Sequence, residues 1–128
     1  FDDKIEYLDK KLTEYLGSLG LKRNQKIIDH LIGTSEILKD MDAPSYLIDA
    51  GLFHSVYGEV ASKLPPNSLI ERSDLQEVIG IQAEEIVFLF CSIPQPRTKN
   101  IHSMEPGQLR NDLILLCQAN DKEMGRPQ

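Results

Sequence analysis

The sequence predicts an all-α fold. Apolar residues recur at three- and four-residue steps along most of the chain, no stretch alternates apolar and polar residues over several positions, and no Asn-Gly hairpin signal occurs. A chain of 128 residues suits one compact domain spanning 1–128, long enough to bury a single core without disulfides or a structural metal. Five or six helices are expected, without an internal repeat.

Phe1, Ile5, Leu8, Leu12, Leu16 and Leu19 form the stripe of an N-terminal amphipathic helix over residues 1–20, ending near Gly17 to Gly20. Such a stripe is either core or partner surface, and if exposed it favours a homodimer through helix packing. A second helix is expected from about Asn24 to Met41, with Asn24 as its cap and Ile27, Ile28, Leu31, Ile32, Ile37 and Leu38 as its apolar face. Asp42-Ala43-Pro44-Ser45 breaks the chain, and Pro44 or Ser45 opens a third helix through Tyr57.

Residues 58–73, with Pro65-Pro66-Asn67, read as a long surface loop of the kind placed around a pocket mouth. Ser73-Asp74-Leu75-Gln76 has capping-box form and starts a short helix, after which Gln82 to Ile93 is apolar enough to be central core. Pro94 to Asn100 reads as a polar, proline-punctuated loop. Pro106 stands at a first-turn position of a last helix through about Met124, followed by a loose tail over 125–128.

A net charge of -6 argues against a phosphate-backbone footprint, so no nucleic acid partner is expected. No apolar run approaches a membrane span, and 41% hydrophobic with 27% charged residues is ordinary for a globular protein, so no membrane partner is expected either. Cys91 and Cys117 lie in apolar helical surroundings without metal-type spacing or a disulfide framework, which places the chain in a reducing cytoplasm. A chain opening at Phe1 without a basic-plus-apolar signal segment reads as a trimmed protein or an excised domain.

Two histidines stand out. His30 lies in Ile27-Ile28-Asp29-His30-Leu31-Ile32-Gly33 and His54 in Ala50-Gly51-Leu52-Phe53-His54-Ser55-Val56-Tyr57-Gly58, each with a glycine three residues away that permits close approach. Two such imidazoles suggest a pocket. A lone helical histidine is more often a core imidazole bonded to a carbonyl or hydroxyl than a ligand. His102, with Arg97 and Lys99, forms a second group suited to binding an anion over the pocket. Ser55 and Tyr57 are further pocket candidates, although Ser55 beside His54 is no catalytic dyad on spacing alone.

The two histidine segments, together with Leu89-Phe90-Cys91-Ser92-Ile93, resemble the HD-domain superfamily, and more closely an uncharacterised bacterial subgroup of it, over roughly residues 25–122. The resemblance implies an HD-like helical domain. It also implies a divalent metal (Mn, Fe, Zn or Mg) held by two histidines, the aspartate after the second and a late aspartate in an Ala-Asp context, activating water for phosphoester or nucleotide hydrolysis. His30 and His54 match that pattern. The other positions are Ser55 and, in Ala119-Asn120, Asn120, so both anionic ligands are replaced.

Two neutral imidazoles with a hydroxyl and an amide offer a dication no negative charge. Asp29, Asp49, Glu59, Asp112 and Asp121 are the candidate carboxylates to restore one, Glu59 foremost because it follows His54 in the loop. Two functions follow as expectations. One is a metal-dependent hydrolase of a small phosphorylated or oxygen-rich substrate, with His30 and His54 as metal ligands. The other is a noncatalytic domain, binding a small-molecule ligand or another protein, whose metal site is degenerate.

Overall fold

The computed structural model describes residues 2–22, 24–58, 69–94 and 96–125. Among them are seven helices and no strand: α1 (Asp2–Ser18), α2 (Gln25–Asp40), α3 (Ser45–Leu52), α4 (Arg72–Ile79), α5 (Ile81–Ser92), α6 (Arg97–His102) and α7 (Gln108–Glu123). The count exceeds the expected five or six because Arg97–His102 is helical, where prolines at 94 and 96 suggested a loop. Pro96 instead serves as the N-cap residue, with Asn100 N–H donating to its carbonyl at 3.1 Å.

The middle of the α1 stripe is core, while Ile5 is half-buried, Leu19 is exposed and Phe1 lies outside the described residues. Leu8 and Leu12 are 1% exposed and Leu16 is also buried, as is Tyr15 beside them, so this part of the face packs within its own chain. Lys4 Nζ adds a 2.8 Å ion pair to Asp49 on α3. Helix α2 starts as expected, Asn24 Oδ1 accepting from Ile27 N–H at 3.2 Å. It packs most extensively on α3 and α7. Gly51 makes the first of those contacts close: a Cβ there would lie 2.5 Å from Leu38 Cδ1 and 3.5 Å from Ser35 Cα.

Helix α3 is shorter than the expected run to Tyr57. It ends at Leu52, and residues 53–58 continue as turns in which Val56 N–H donates to Phe53 O and Gly58 N–H to Ser55 O. The aromatic and β-branched residues there favour helix only weakly, and burial of Phe53 and Val56 stabilises the tighter turn. His54 therefore projects from a buried turn, not from a helix face.

The capping box at Ser73 does not form. Helix α4 begins one residue earlier, with Glu71 at the N-cap and no side-chain cap bond. Gly80, at φ +90, separates α4 from α5 in a conformation that glycine alone adopts readily. Helix α5 buries Ala83, Glu84, Ile86, Val87 and Phe90 against α3 and α4, as its apolar sequence predicts. Pro106 precedes the first turn of α7, which begins at Gln108. Residues 59–68, most of the expected surface loop and Glu59 with it, lie outside the described residues, as do 126–128 of the expected tail.

Candidate functional site

His30, His54 and Asn120 meet where α2, the turn after α3 and α7 converge. Asn120 Oδ1 lies 2.9 Å from His30 Nε2 and 3.1 Å from His54 Nε2. The opposite ring nitrogens face acceptors: His30 Nδ1 is 2.6 Å from Glu123 Oε1, and His54 Nδ1 is 2.7 Å from the Gly51 carbonyl. The rings stand edge to face, with centroids 5.1 Å apart. His54 is 2% exposed and Asn120 6%.

Local sequence explains the placement. Asn120 and Glu123 are three residues apart, hence on one face of α7, and that face looks onto His30. Gly33 sits one turn along α2 from His30, and its missing side chain leaves the space that Glu123 fills. The turn carrying His54 is held by the thiol of Cys91 donating to the His54 carbonyl at 2.9 Å and by Phe90, edge-on to the imidazole at 5.5 Å. Arg97 stacks on the same Phe90 ring at 4.2 Å. Burial, opposed by the Gly51 hydrogen bond and reinforced by His30 and Arg97, lowers the His54 pKa to about 4.

The other expected site residues lie elsewhere. Ser55 is buried in the same turn but makes no hydrogen bond to either ring among the described residues. Tyr57 points its hydroxyl away from the histidines, donating to Glu84 Oε2 at 3.0 Å. Lys99 is exposed. His102, also exposed, lines a cleft between α6 and α7. Arg97, Lys99 and His102 are thus not gathered into one anion site: Arg97 turns to Phe90 and His102 to the cleft. Of the reserve carboxylates, Asp29 accepts from Gln25, Asp49 from Lys4, and Asp112 from Tyr46 and Gln108. Glu123 was not anticipated; its signal was the i, i+3 spacing from Asn120.

A second polar cluster, also unanticipated, surrounds Glu84, which is fully buried. Arg72 grips it with two nitrogens, Nε to Oε2 at 2.7 Å and Nη2 to Oε1 at 2.9 Å, while Gln76 and Tyr57 each donate at 3.0 Å. Burial raises the carboxyl pKa, but these four donors outweigh it and leave Glu84 below the usual carboxylate range. Arg72 completes its packing over Phe88 at 3.7 Å. Every acceptor is matched by a donor, so this cluster is a fastening between α4, α5 and the His54 turn.

The metal implied by the HD resemblance fits half of the junction. Anchored Nδ1 atoms with Nε2 atoms converging on one point are what metal-ligating histidines show. The remaining donor is a neutral amide, however, and the nearest carboxylate, Glu123, is engaged at the far side of His30. Among the described residues no group of three or more His, Cys, Asp or Glu side chains is placed to hold a metal ion. The donor set does not suit an oxygen-seeking dication.

Fold and junction together define an all-α domain in which three segments distant in sequence are joined through two imidazoles and one amide. The chain belongs to the family described as a domain of unknown function (DUF6817), whose model matches residues 16–95. No curated protein and no solved structure gives a significant match. The matched span carries His30, His54 and Glu84; Asn120 and Glu123 lie beyond it. No helix among the described residues is long and apolar enough to cross a membrane.

Proposed function

We propose that the protein is a noncatalytic binding domain in which an amide closes the place that an HD-type metal would take. The observation that carries this reading is the shared contact of Asn120 with both Nε2 atoms, while both Nδ1 atoms face acceptors. Acceptors at Nδ1 require N–H there. With its pKa at about 4, His54 is neutral near pH 7 and has no second proton, so its Nε2 is a lone pair.

Only a donor or a cation can meet that lone pair favourably. A carboxamide presents its NH2 end by a half-turn that leaves its shape unchanged, and one of its hydrogens then serves His54 Nε2. In this arrangement His54 is the neutral Nδ1–H tautomer and its Nε2 is met by the protein without a metal. A hydrolytic site needs an open position for water and substrate, whereas here the converging nitrogens are occupied by the protein itself. Activity on this reading lies in what the helical surface binds.

The test is the metal content of untagged protein, wild type and Asn120→Asp, together with melting temperature in chelator and in added Mn²⁺, Fe²⁺ or Zn²⁺. Wild type is expected to carry no stoichiometric metal and to melt alike in all conditions. Asn120→Asp, which supplies a carboxylate, is expected to gain metal-dependent stability. Near-stoichiometric metal in wild type, lost in His30→Ala/His54→Ala, would overturn the proposal and return the chain to the metal-dependent hydrolases that the resemblance implies.

A further inference from the structure

We infer that the protein associates head to tail with a second copy of itself, the acidic, partly apolar face of α4 and α5 in one copy docking on the basic corner between α1 and α2 of the next. Among the described residues five large apolar side chains are exposed, and four of them fall in these two places: Ile81 and Phe88 on α5, and Leu19 and Leu21 just after α1. A groove lies at each, of about 380 Å³ where Ile81 and Phe88 form part of the wall and about 390 Å³ where Leu21 does. Single exposed apolar residues need no explanation, whereas apolar side chains collected beside a groove mark an interaction surface.

The first surface dictates the chemistry of what covers it. Ile81, Glu85 and Phe88 stand at i, i+4 and i+7 on one stripe of α5, so a carboxylate lies between the two apolar side chains. Arg72, the cation of that groove, is held by Glu84 at 2.7 Å and is also close enough to Glu85 to feel its charge, which leaves the groove with a net formal charge of one negative. Glu71, Asp74 and Glu77, exposed along α4, carry the same sign. Whatever covers Ile81 and Phe88 also covers Glu85, and taking a carboxylate out of water is tolerated only against a cation. The occupant is therefore both apolar and basic.

The α1–α2 corner has that composition. Leu16 and Leu21 line its groove together with Lys22, Asn24, Gln25 and Lys26. Residues 15–28 contain no acid, and Lys22 and Lys26 are exposed with no ion pair to a described residue. Asp29, the next acid along the chain, accepts from Gln25 at 2.6 Å and leaves two cations against one anion. Glu14, the acid before the corner, belongs to the other field: after burial, the charges of Asp74, Glu77 and Glu14 together raise the pKa of Tyr7. In the head-to-tail pair Ile81, 72% exposed, rests on Leu16 and Leu21, itself 57% exposed, while Glu85 faces Lys22 and Lys26. The two grooves share no residue, so each copy keeps one surface free and the contact repeats until it closes a ring or runs on as a filament. A net charge of -6 on each copy works against this local match, so association is expected at high concentration. The inference rests on the binding reading for its meaning; metal content decides that reading and sedimentation decides these surfaces, so either can fail alone.

The experiment is sedimentation of the intact protein from about 10 μM to about 1 mM, the range of affinities open to a small interface. Wild type is expected to gain mass with concentration beyond a dimer. Ile81→Ser and Leu21→Ser, both at exposed positions that leave the fold intact by circular dichroism, should each weaken association by about tenfold or more. Mixing the two variants should restore a single 1:1 contact, because the intact corner of the first meets the intact α5 face of the second, and this pair should not grow further. A wild type that stays monomeric throughout would overturn the inference and leave both surfaces to other proteins. Association lost in only one variant would mean a like-with-like contact and would overturn the head-to-tail pairing, as would a mixture that stays monomeric. Wild-type association in both variants would overturn the surfaces themselves.

Discussion

Glu123 occupies the space above Gly33: a Cβ added to Gly33 would lie 2.8 Å from Glu123 Oε2 and 2.9 Å from its Cγ. The glycine on α2 thus makes room for the carboxylate that orients His30. In most helix interiors Gly→Ala is stabilising by roughly 0.5–1 kcal/mol. Here the added methyl displaces Glu123 from His30, and losing a hydrogen bond to a charged group costs about 1.5–3 kcal/mol, toward the lower end at this half-buried site. Gly33→Ala is therefore expected to destabilise wild type and to stabilise Glu123→Ala. Urea unfolding of the four proteins of this cycle checks the reversal of sign; additive effects would refute the coupling.

The neutral state of His54 gives stability a defined pH dependence. Its folded pKa is about 4 against an ordinary 6.5, burial being the main cause. Between those values the unfolded chain binds a proton that the folded protein excludes, so this contribution is complete above pH 6.5. It is lost as pH falls toward 4, by roughly 3 kcal/mol in all. His54→Phe, which keeps a ring beside Phe90, should remove that slope. Unfolding midpoints measured in urea at half-unit pH steps decide it, and parallel curves for the two proteins would count against a buried neutral imidazole.

The Glu84 cluster responds in a lower window. Its folded pKa lies below the ordinary carboxylate value, so its stabilisation is present above about pH 4.5 and lost as pH falls further. Arg72→Met leaves a fully buried carboxylate with only Gln76 and Tyr57 as donors, and a loss of about 3 kcal/mol is expected. Adding Glu84→Gln to that variant should restore part of it. Thermal unfolding of the single and double variants tests this; a double variant less stable than Arg72→Met would show that the charge is not what the loss reflects.

Gly51→Ala is expected to be costly for a different reason. The new methyl would come within 2.5 Å of Leu38 Cδ1, a side chain with no exposed surface, so α3 must move off α2 or Leu38 must leave its rotamer. Overpacking of this kind costs about 1–3 kcal/mol. Gly17→Ala, with nothing within 4 Å, provides the control and should be neutral or slightly stabilising. Equal melting temperatures for the two variants would contradict the close approach of α2 and α3.

What the sequence made legible follows from distance along the chain. The helical period, the Asn24 cap and the apolar character of α5 are local, and each is present in the structure. His30 and His54 were paired in advance, and Asn120 was placed beside them through a resemblance. Glu123 and the Arg72–Glu84 pair were missed because their meaning depends on partners brought up by the fold, and a lone Glu on a helix reads as solvated surface. The α3 boundary failed where burial of Phe53 and Val56 overrode the helical pattern, and α6 was missed because Pro96 marks the start of a helix as readily as a break.

The junction joins residues that are 66 to 93 positions apart, and during synthesis that separation becomes a delay. His30 and His54 leave the ribosome well before Asn120; at roughly 5–20 residues per second the later histidine waits about 3–13 s for its amide. For that interval the two imidazoles lack the amide that joins them in the folded protein. Docking of α7 ends that interval by setting Asn120 against both Nε2 atoms, so the junction is complete only once this helix is in place.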